Sequence, residues 1–218
     1  VLRFSLKYCS TVDSPPKGNL GPAADAAMEF LGVSYTVLCP ALPVNGRVVM
    51  KGELYVGGVP LHESPMKHHP LPPMWDARIA NLMKPQSKYS CVELWKEQMD
   101  SPAEEIRAIL SDQADTQEHY YVIPDYQDME DGERIEELFG DLALLTGGSG
   151  ILEPLAKHLS SSQDILPELD LRAEGAAVLI AGSCSRATLG QIDYFQTHGG
   201  LSYKMDPMAM LEGRESLE

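Results

Sequence analysis

The chain has 218 residues, of which 32 are acidic and 17 basic, giving a formal net charge of -15 at neutral pH. A field of that sign repels phosphate backbones and anionic lipid, so composition excludes a nucleic-acid or membrane-surface role for the chain as a whole. With 44% hydrophobic residues and no apolar run longer than Ala176 to Ala181, it reads as a soluble globular protein with a sizeable core.

The sequence opens at Val1 inside a strand-like alternation, Leu2 to Tyr8, and an earlier part of the protein is therefore expected to be missing. A helix from about Ala23 to Leu31 and a strand from Tyr35 to Cys39 follow, which is the order of a βαβ unit on a parallel sheet. Arg47 to Met50 and Glu53 to Val56, separated by Lys51-Gly52, read as a β-hairpin excursion. Pro65, Pro70, Pro72 and Pro73 make the next stretch an irregular loop, because each fixes φ and removes a donor. A helix is expected over Trp75 to Met83. Another starts with Ser101 as N-cap and Pro102 in its first turn, carrying Ile106, Ile109 and Leu110 on one face.

His119 to Ile123 and Leu142 to Leu145 read as strands joined by an acidic helix, Asp131 to Phe139. The acidic stretch Asp125 to Asp141 is read as a solvated helix face. Gly147-Gly148-Ser149-Gly150 then opens a helix, Ile151 to Leu159. A polar segment over 161–175 is expected to be a linker. Ala176 to Ala181 would be a buried strand and Ser185 to Thr197 a helix. The expected fold is thus α/β: a parallel-sheet N-terminal domain over 1–160 with a β-hairpin excursion, then the beginning of a second α/β domain over 176–218. Cys9, Cys39, Cys91 and Cys184 form no C-x-x-C pair, which suits reduced thiols in a cytosol rather than disulfides or zinc.

The densest chemical signal is the run Cys9 to Pro22, which joins a strand to a helix. Such a turn lies at the carboxyl edge of a parallel sheet, where α/β ligand crevices form. Lys17 offers a cation, Gly18 and Gly21 permit close approach, and Asp13, Ser14 and Asn19 can bind hydroxyls. A plain capped loop accounts for the same composition. Gly147, Gly148, Ser149 and Gly150 could cradle an anion at a helix start, or could merely make the turn. Ser183 and Ser185 could touch a nucleotide, or could cap the helix they precede. Arg47 and Asn45 could form a carboxylate fork, or a surface turn. His62, Glu63, His68 and His69 match no metal spacing, and polar lid or interface contacts are expected of them. No Walker A motif and no G-x-G-x-x-G fingerprint occurs.

The run Asp13-Ser14-Pro15 followed by Gly18-Asn19-Leu20-Gly21 resembles the Asp-Ser-Thr and Gly-Asn-x-Gly motifs of the four-carbon acid sugar kinase family, most closely its 3-oxo-tetronate kinases. The likeness continues through Cys39 to Arg47, Gly52 to Val56, Pro60 to Ser64, Thr146 to Gly150 and Ala181 to Ser185, in family order. It implies a cytoplasmic enzyme that takes a small sugar acid and ATP, with Mg2+, has no nucleic-acid or membrane partner, and leaves a homodimer open. It assigns sugar-acid binding to Asp13, Ser14, Lys17, Asn19 and Arg47. ATP contacts fall to Ser183, Ser185 and Gly147 to Gly150. Three departures stand out. The family's Asp-Asp-Phe-Thr-Gly opening, which carries its acidic catalytic residue, does not occur, nor does its later Gly-Gly-(Asp/Glu)-Thr nucleotide motif, and Pro15 replaces a Thr. The catalytic residue is therefore unassigned, and this piece alone could be inactive. A non-catalytic sugar-acid-binding or regulatory protein of the same fold is the rival reading.

Overall fold

The computed structural model describes residues 3–68, 73–160, 175–183 and 185–214. Most of the expected linker, together with His69, Pro70, Pro72 and Cys184, lies outside the described residues, as do the side chains of His68 and Arg186. The chain forms two compact units, Val1–Asp164 and Ile165–Glu218.

The first unit runs β1 (Phe4–Lys7), α1 (Leu20–Leu31), β2 (Tyr35–Cys39), β3 (Arg47–Met50), β4 (Glu53–Val56), β5 (Val59–Pro60), α2 (Ile79–Met83) and β6 (Ser90–Leu94). It continues through α3 (Lys96–Met99), α4 (Ala103–Ala114), β7 (Tyr120–Pro124), α5 (Met129–Phe139), β8 (Leu144–Gly147) and α6 (Leu152–Leu159). Five strands make one parallel sheet in the order β1-β8-β2-β7-β6, and β3, β4 and β5 make a separate antiparallel sheet. The fold is α/β.

Sequence explains the layering. Every residue of β7 is buried and β2 is buried from Thr36 onward, as expected of central parallel strands covered on both faces. The edge strand β1 stays largely exposed. Ala24 and Met28 of α1, Ile106 and Leu110 of α4, and Ile135 and Phe139 of α5 join the strand side chains in one core. Truncating a fully buried member such as Leu38 to Ala would cost about 2–5 kcal/mol. The two buried threonines at the sheet centre are satisfied across the β2/β8 pair: Thr36 Oγ1 donates to the Leu144 carbonyl (2.9 Å) and Thr146 Oγ1 to that of Val37 (2.6 Å).

Several elements depart from the sequence reading. The helix expected over Trp75 to Met83 is helical only from Ile79, because Ala77 and Arg78 pair with the hairpin: Leu54 N–H donates to the Ala77 carbonyl (2.8 Å), and Glu53 bridges Arg78. Ser101 is not the cap of α4, since its hydroxyl turns back to the Glu97 carbonyl (3.3 Å). Asp128 caps α5, accepting from the N–H groups of Glu130 (3.0 Å) and Asp131 (3.1 Å). The acidic stretch is not uniformly solvated either. Asp131 is buried beside Lys96 Nζ at 3.0 Å, and Asp125 is buried on three backbone donors. Strand β6 was not expected at all.

In the second unit, α7 (Arg186–Thr197) and α8 (Pro207–Leu211) are the helices among the described residues. The buried strand expected over Ala176 to Ala181 does not form. The segment has no regular structure and Ile180 is 93% exposed, because a parallel strand needs hydrogen-bonded neighbours and the described residues of this unit contain none. No described helix is long and apolar enough to cross a membrane.

Candidate functional site

Strand β1 delivers the chain to the carboxyl edge of the sheet, and residues 8–19 carry it back to α1. This loop is held in an unusual shape. The Val12 N–H donates to the Cys9 carbonyl (2.9 Å) and the Asp13 N–H to that of Thr11 (2.7 Å), closing a three-residue turn about Val12. Val12 has φ 64° and Asp13 φ 49°. A β-branched residue in the left-handed region is strained, and its surroundings must hold it there. Val12 is only 4% exposed, so its burial in the core supplies that hold. The turn fixes the Asp13 carboxylate, which accepts a 2.8 Å bond from Thr11 Oγ1, itself 3.1 Å from Cys9 Sγ.

Beside the loop opens a cavity of about 330 Å³, with Lys7, Tyr8, Cys9, Asp13, Ser14 and Asn19 among its lining residues. That volume lies at the lower end of small-molecule sites, and a ligand the size of a four-carbon acid fits within it. The cavity brings together three of the residues named from sequence, Asp13, Ser14 and Asn19. Lys17 and Arg47 do not line it. Arg47 instead folds onto its own turn, Nη1 donating to the Asn45 carbonyl. The cation at the cavity is Lys7, the last residue of β1. Sequence reasoning missed it, although a strand's last residue at the carboxyl edge is a place where α/β proteins put ligand groups. Burial pushes the Tyr8 phenol well above its ordinary pKa, against the pull of Thr146 and the Cys39 carbonyl beside it, so it stays protonated and serves as a neutral wall.

Behind the cavity the loop is anchored rather than free. Buried Ser14 donates from Oγ to Gln86 Oε1 (2.7 Å), and Gln86 Nε2 donates to the Leu82 carbonyl (3.0 Å). The two glycines of the Gly-Asn-x-Gly turn are explained by the Ser14–Gln86 pair. A Cβ on Gly18 would lie 2.1 Å from Ser14 Oγ, and one on Gly21 would lie 2.6 Å from the Gln86 backbone. The first turn of α1 therefore packs directly on Gln86, a second residue that sequence reasoning did not single out.

The turn Gly147 to Gly150 abuts this site, since the Tyr8 N–H donates to the Gly147 carbonyl (3.0 Å). Its glycines make room for the chain leaving β2: added Cβ atoms would meet the carbonyl oxygens of Cys39, Pro40 and Ala41 at 2.7, 2.8 and 2.1 Å. The Gly148 N–H is already used, donating to the Cys39 carbonyl (2.9 Å), while Ser149 is exposed. Close packing thus accounts for the glycines, and Ser149 is the group left facing outward. The Cys39 thiol, pushed up to about 12 by burial, is an inert wall.

In the second unit Ser185 caps α7, accepting from the Thr188 N–H (3.2 Å), with its hydroxyl 3.0 Å from Thr188 Oγ1. Ser183 Oγ accepts from the Ser185 N–H (3.2 Å). Both serines thus have capping partners within their own turn.

Comparisons with known proteins bear on the family and the fold. Residues 2–155 match the family described as the sugar-binding N-terminal domain. A 3-oxo-tetronate kinase from Cupriavidus necator is 37% identical over 97% of this chain and 50% of its own length. Another from Brucella melitensis is 37% identical over 87% of this chain and 44% of its own. The crystal structure of a Haemophilus influenzae protein of the DUF1537 family superposes with a TM-score of 0.71 at 34% identity, covering 90% of this chain and 47% of that one. A DUF1537 structure from Bordetella bronchiseptica, a domain-swapped dimer with bound citrate, superposes with a TM-score of 0.56 at 28% identity, over 72% of this chain and 37% of that one. The chain spans about half the length of the curated relatives it matches. On the match over residues 2–155 and these relatives, the chain belongs to the DUF1537 family, as a sugar-binding N-terminal domain.

Proposed function

We propose that this chain supplies the substrate-binding half of a cytoplasmic ATP-dependent kinase that converts a four-carbon sugar acid, 3-oxo-tetronate, to its 4-phosphate. The observation that carries the reading is the cavity at the end of β1, where one cation and fixed hydroxyl-binding groups converge. Lys7 would neutralise the ligand carboxylate, while Asp13 accepts from a ligand hydroxyl and Asn19 both donates and accepts. The strained turn at Val12 holds Asp13 before the ligand arrives, which lowers the ordering cost of binding. Lys17, exposed at the loop, would add to the attraction of an anion to the cavity mouth. Citrate in the Bordetella relative is a hydroxy-carboxylate of the same chemistry, and that relative's domain-swapped dimer supports a homodimer as part of the proposal.

ATP would supply the phosphoryl group, and Mg2+ would neutralise its charge. That ion would be held largely by the nucleotide's phosphates and by water, since sites of this kind need only one or two protein carboxylates. What the residues of the cavity would do is bind and orient the acceptor. Ser183, Ser185 and the Gly147 to Gly150 turn remain the proposed ATP contacts, with Ser149 the best exposed of them. The division into a sugar-acid domain over 1–160, a linker over 161–175 and the start of a nucleotide domain over 176–218 belongs to the same proposal.

Calorimetric titration of the chain with a panel of four-carbon sugar acids tests it. Lys7→Ala should lose about tenfold or more in affinity, and Lys17→Ala less. Asp13→Asn should also bind more weakly, with an unchanged circular dichroism spectrum. If all three variants bind as the parent does, the loop is only a connection between β1 and α1. If the parent binds the acids but a full-length polypeptide that contains it never consumes ATP with them, the non-catalytic binding protein is the correct reading.

A further inference from the structure

A second crevice opens at the opposite edge of the same sheet face, at the carboxyl end of β6. It has a volume of about 570 Å³ and is lined by Lys51, Glu93, Trp95, Glu97 and Gln98. Strands β1 and β6 are the two edges of the five-stranded sheet, so four strand spacings of about 4.8 Å, roughly 19 Å, separate this crevice from the β1 cavity. Its centrepiece is Trp95, a residue that is 39% exposed.

The crevice is built rather than incidental. Glu93 is clamped by Arg78, whose Nε and Nη2 donate to the two carboxylate oxygens at 2.8 and 2.6 Å, and the Trp95 indole N–H reaches the same carboxylate at 3.2 Å. Gly52 is packed so closely that an added Cβ would lie 2.4 Å from the Glu93 carboxyl carbon. Gln98 Oε1 accepts from the Trp95 N–H at 3.0 Å, which fixes the backbone carrying the indole. Lys51, at φ 50° in the hairpin turn, places its Nζ 5.9 Å from the indole centroid. The two walls are joined by one buried carboxylate: Asp125 Oδ2 accepts from both the Lys51 N–H and the Lys96 N–H, each at 2.9 Å.

We propose that this crevice binds a neutral sugar ring, stacked on Trp95 with its hydroxyls bridged by Glu93, Gln98 and Lys51. An exposed indole suits the apolar C–H face of a pyranose, and a carboxylate, an amide and an ammonium at its border match vicinal hydroxyls, which both donate and accept. Charge decides for a neutral ligand. Arg78 is paired with Glu93, and the lining otherwise holds one cation, Lys51, and one further carboxylate, Glu97, so the crevice carries no net positive charge to hold an acid or a phosphate. The site is independent of the sugar-acid cavity and holds whether or not that assignment stands.

The chain has two tryptophans, so a Trp75→Phe background leaves Trp95 as sole fluorescent reporter. Titrating that protein with methyl pyranosides of glucose, galactose and mannose should give a saturable fluorescence change for at least one. The expected dissociation constant is on the order of millimolar, as a ligand of about a dozen non-hydrogen atoms reaches at ordinary efficiency. Calorimetry of Trp95→Ala in the same sugar should show the heat lost, and the exposed Lys51→Ala, which leaves the indole in place, should weaken binding several-fold. Lys7→Ala should leave it unchanged. No saturable response to any pyranoside, a response that survives Trp95→Ala, or tighter binding of four-carbon acids or ATP at Trp95 than of neutral sugars would each overturn the proposal.

Discussion

Val12 is the residue at which strain and site meet. Its left-handed φ costs a side chain with a Cβ about 1–2 kcal/mol, a penalty glycine does not carry. Glycine elsewhere costs about 0.5–1 kcal/mol relative to alanine. At this position the usual order should therefore invert: Val12→Gly should be about 0.5–1 kcal/mol more stable than Val12→Ala in urea unfolding, while both bind sugar acids more weakly than the parent. A more stable Ala variant would show that the turn does not keep this conformation in solution. The same loop shows how far single residues were legible. Asp13, Ser14 and Asn19 were readable because small polar groups between a strand and a helix belong at a sheet edge. Lys7 was not, because reading the strand through Tyr8 instead of ending it at Lys7 hides which side chain stands last at the edge. Gln86 lies 72 residues from its partner Ser14, and nothing local signals that contact.

At the level of elements, the hairpin and the α3 start are held to the sheet through Asp125. Burial raises its pKa above the ordinary carboxylate value, and the N–H groups of Lys51, Gly52 and Lys96 offset that only in part. The sign follows from linkage: a folded-state pKa above the unfolded one gives a contribution fully present below about pH 3.9 and lost as pH rises through the folded value. Asn at this position does not titrate. The stability gap between the parent and Asp125→Asn, read from urea midpoints between about pH 4 and pH 7, should therefore narrow as pH rises. A widening gap would mean that the backbone donors dominate and hold the carboxyl below its ordinary value. Element existence was largely legible here, since β2, β3, β4, β7, α1 and α5 all follow apolar periodicity. Strand β6 was not, because Ser90-Cys91-Val92-Glu93-Leu94 is short, half-buried and mixed, and only its pairing with β7 makes it a strand. Ala176 to Ala181 failed in the opposite way: its composition is that of a buried strand, but composition cannot supply neighbours.

For the whole molecule, the core explains which part stands by itself. Its buried hydrophobic residues run from Val12 to Leu155, all inside the first unit, whereas Ala209 is the one described hydrophobic residue buried in the second. A chain ending at Ser160 should therefore unfold in one cooperative transition. Each 1 kcal/mol of lost stability should lower Tm by only about 2–4 °C at this size. It should also be more soluble, since the exposed apolar run Val178-Leu179-Ile180 goes with the removed part. A truncated chain without a cooperative transition would mean that the first unit depends on the second for its order.

Within that unit the register of β1 sets an order of assembly. Its sheet neighbour is β8, Phe4 against Leu144, so this strand finds its partner only near the unit's far end. Pairing so distant in sequence is slow, because a long loop must close before any contact rewards it. Strands β2, β7 and β6, with α4 between them, can condense around shorter loops while β1 still waits. On a ribosome, the loop carrying Asp13 would stay unformed until β8 had emerged. Competence to bind the acid would thus arrive late, as a marker that β8 has already joined the sheet.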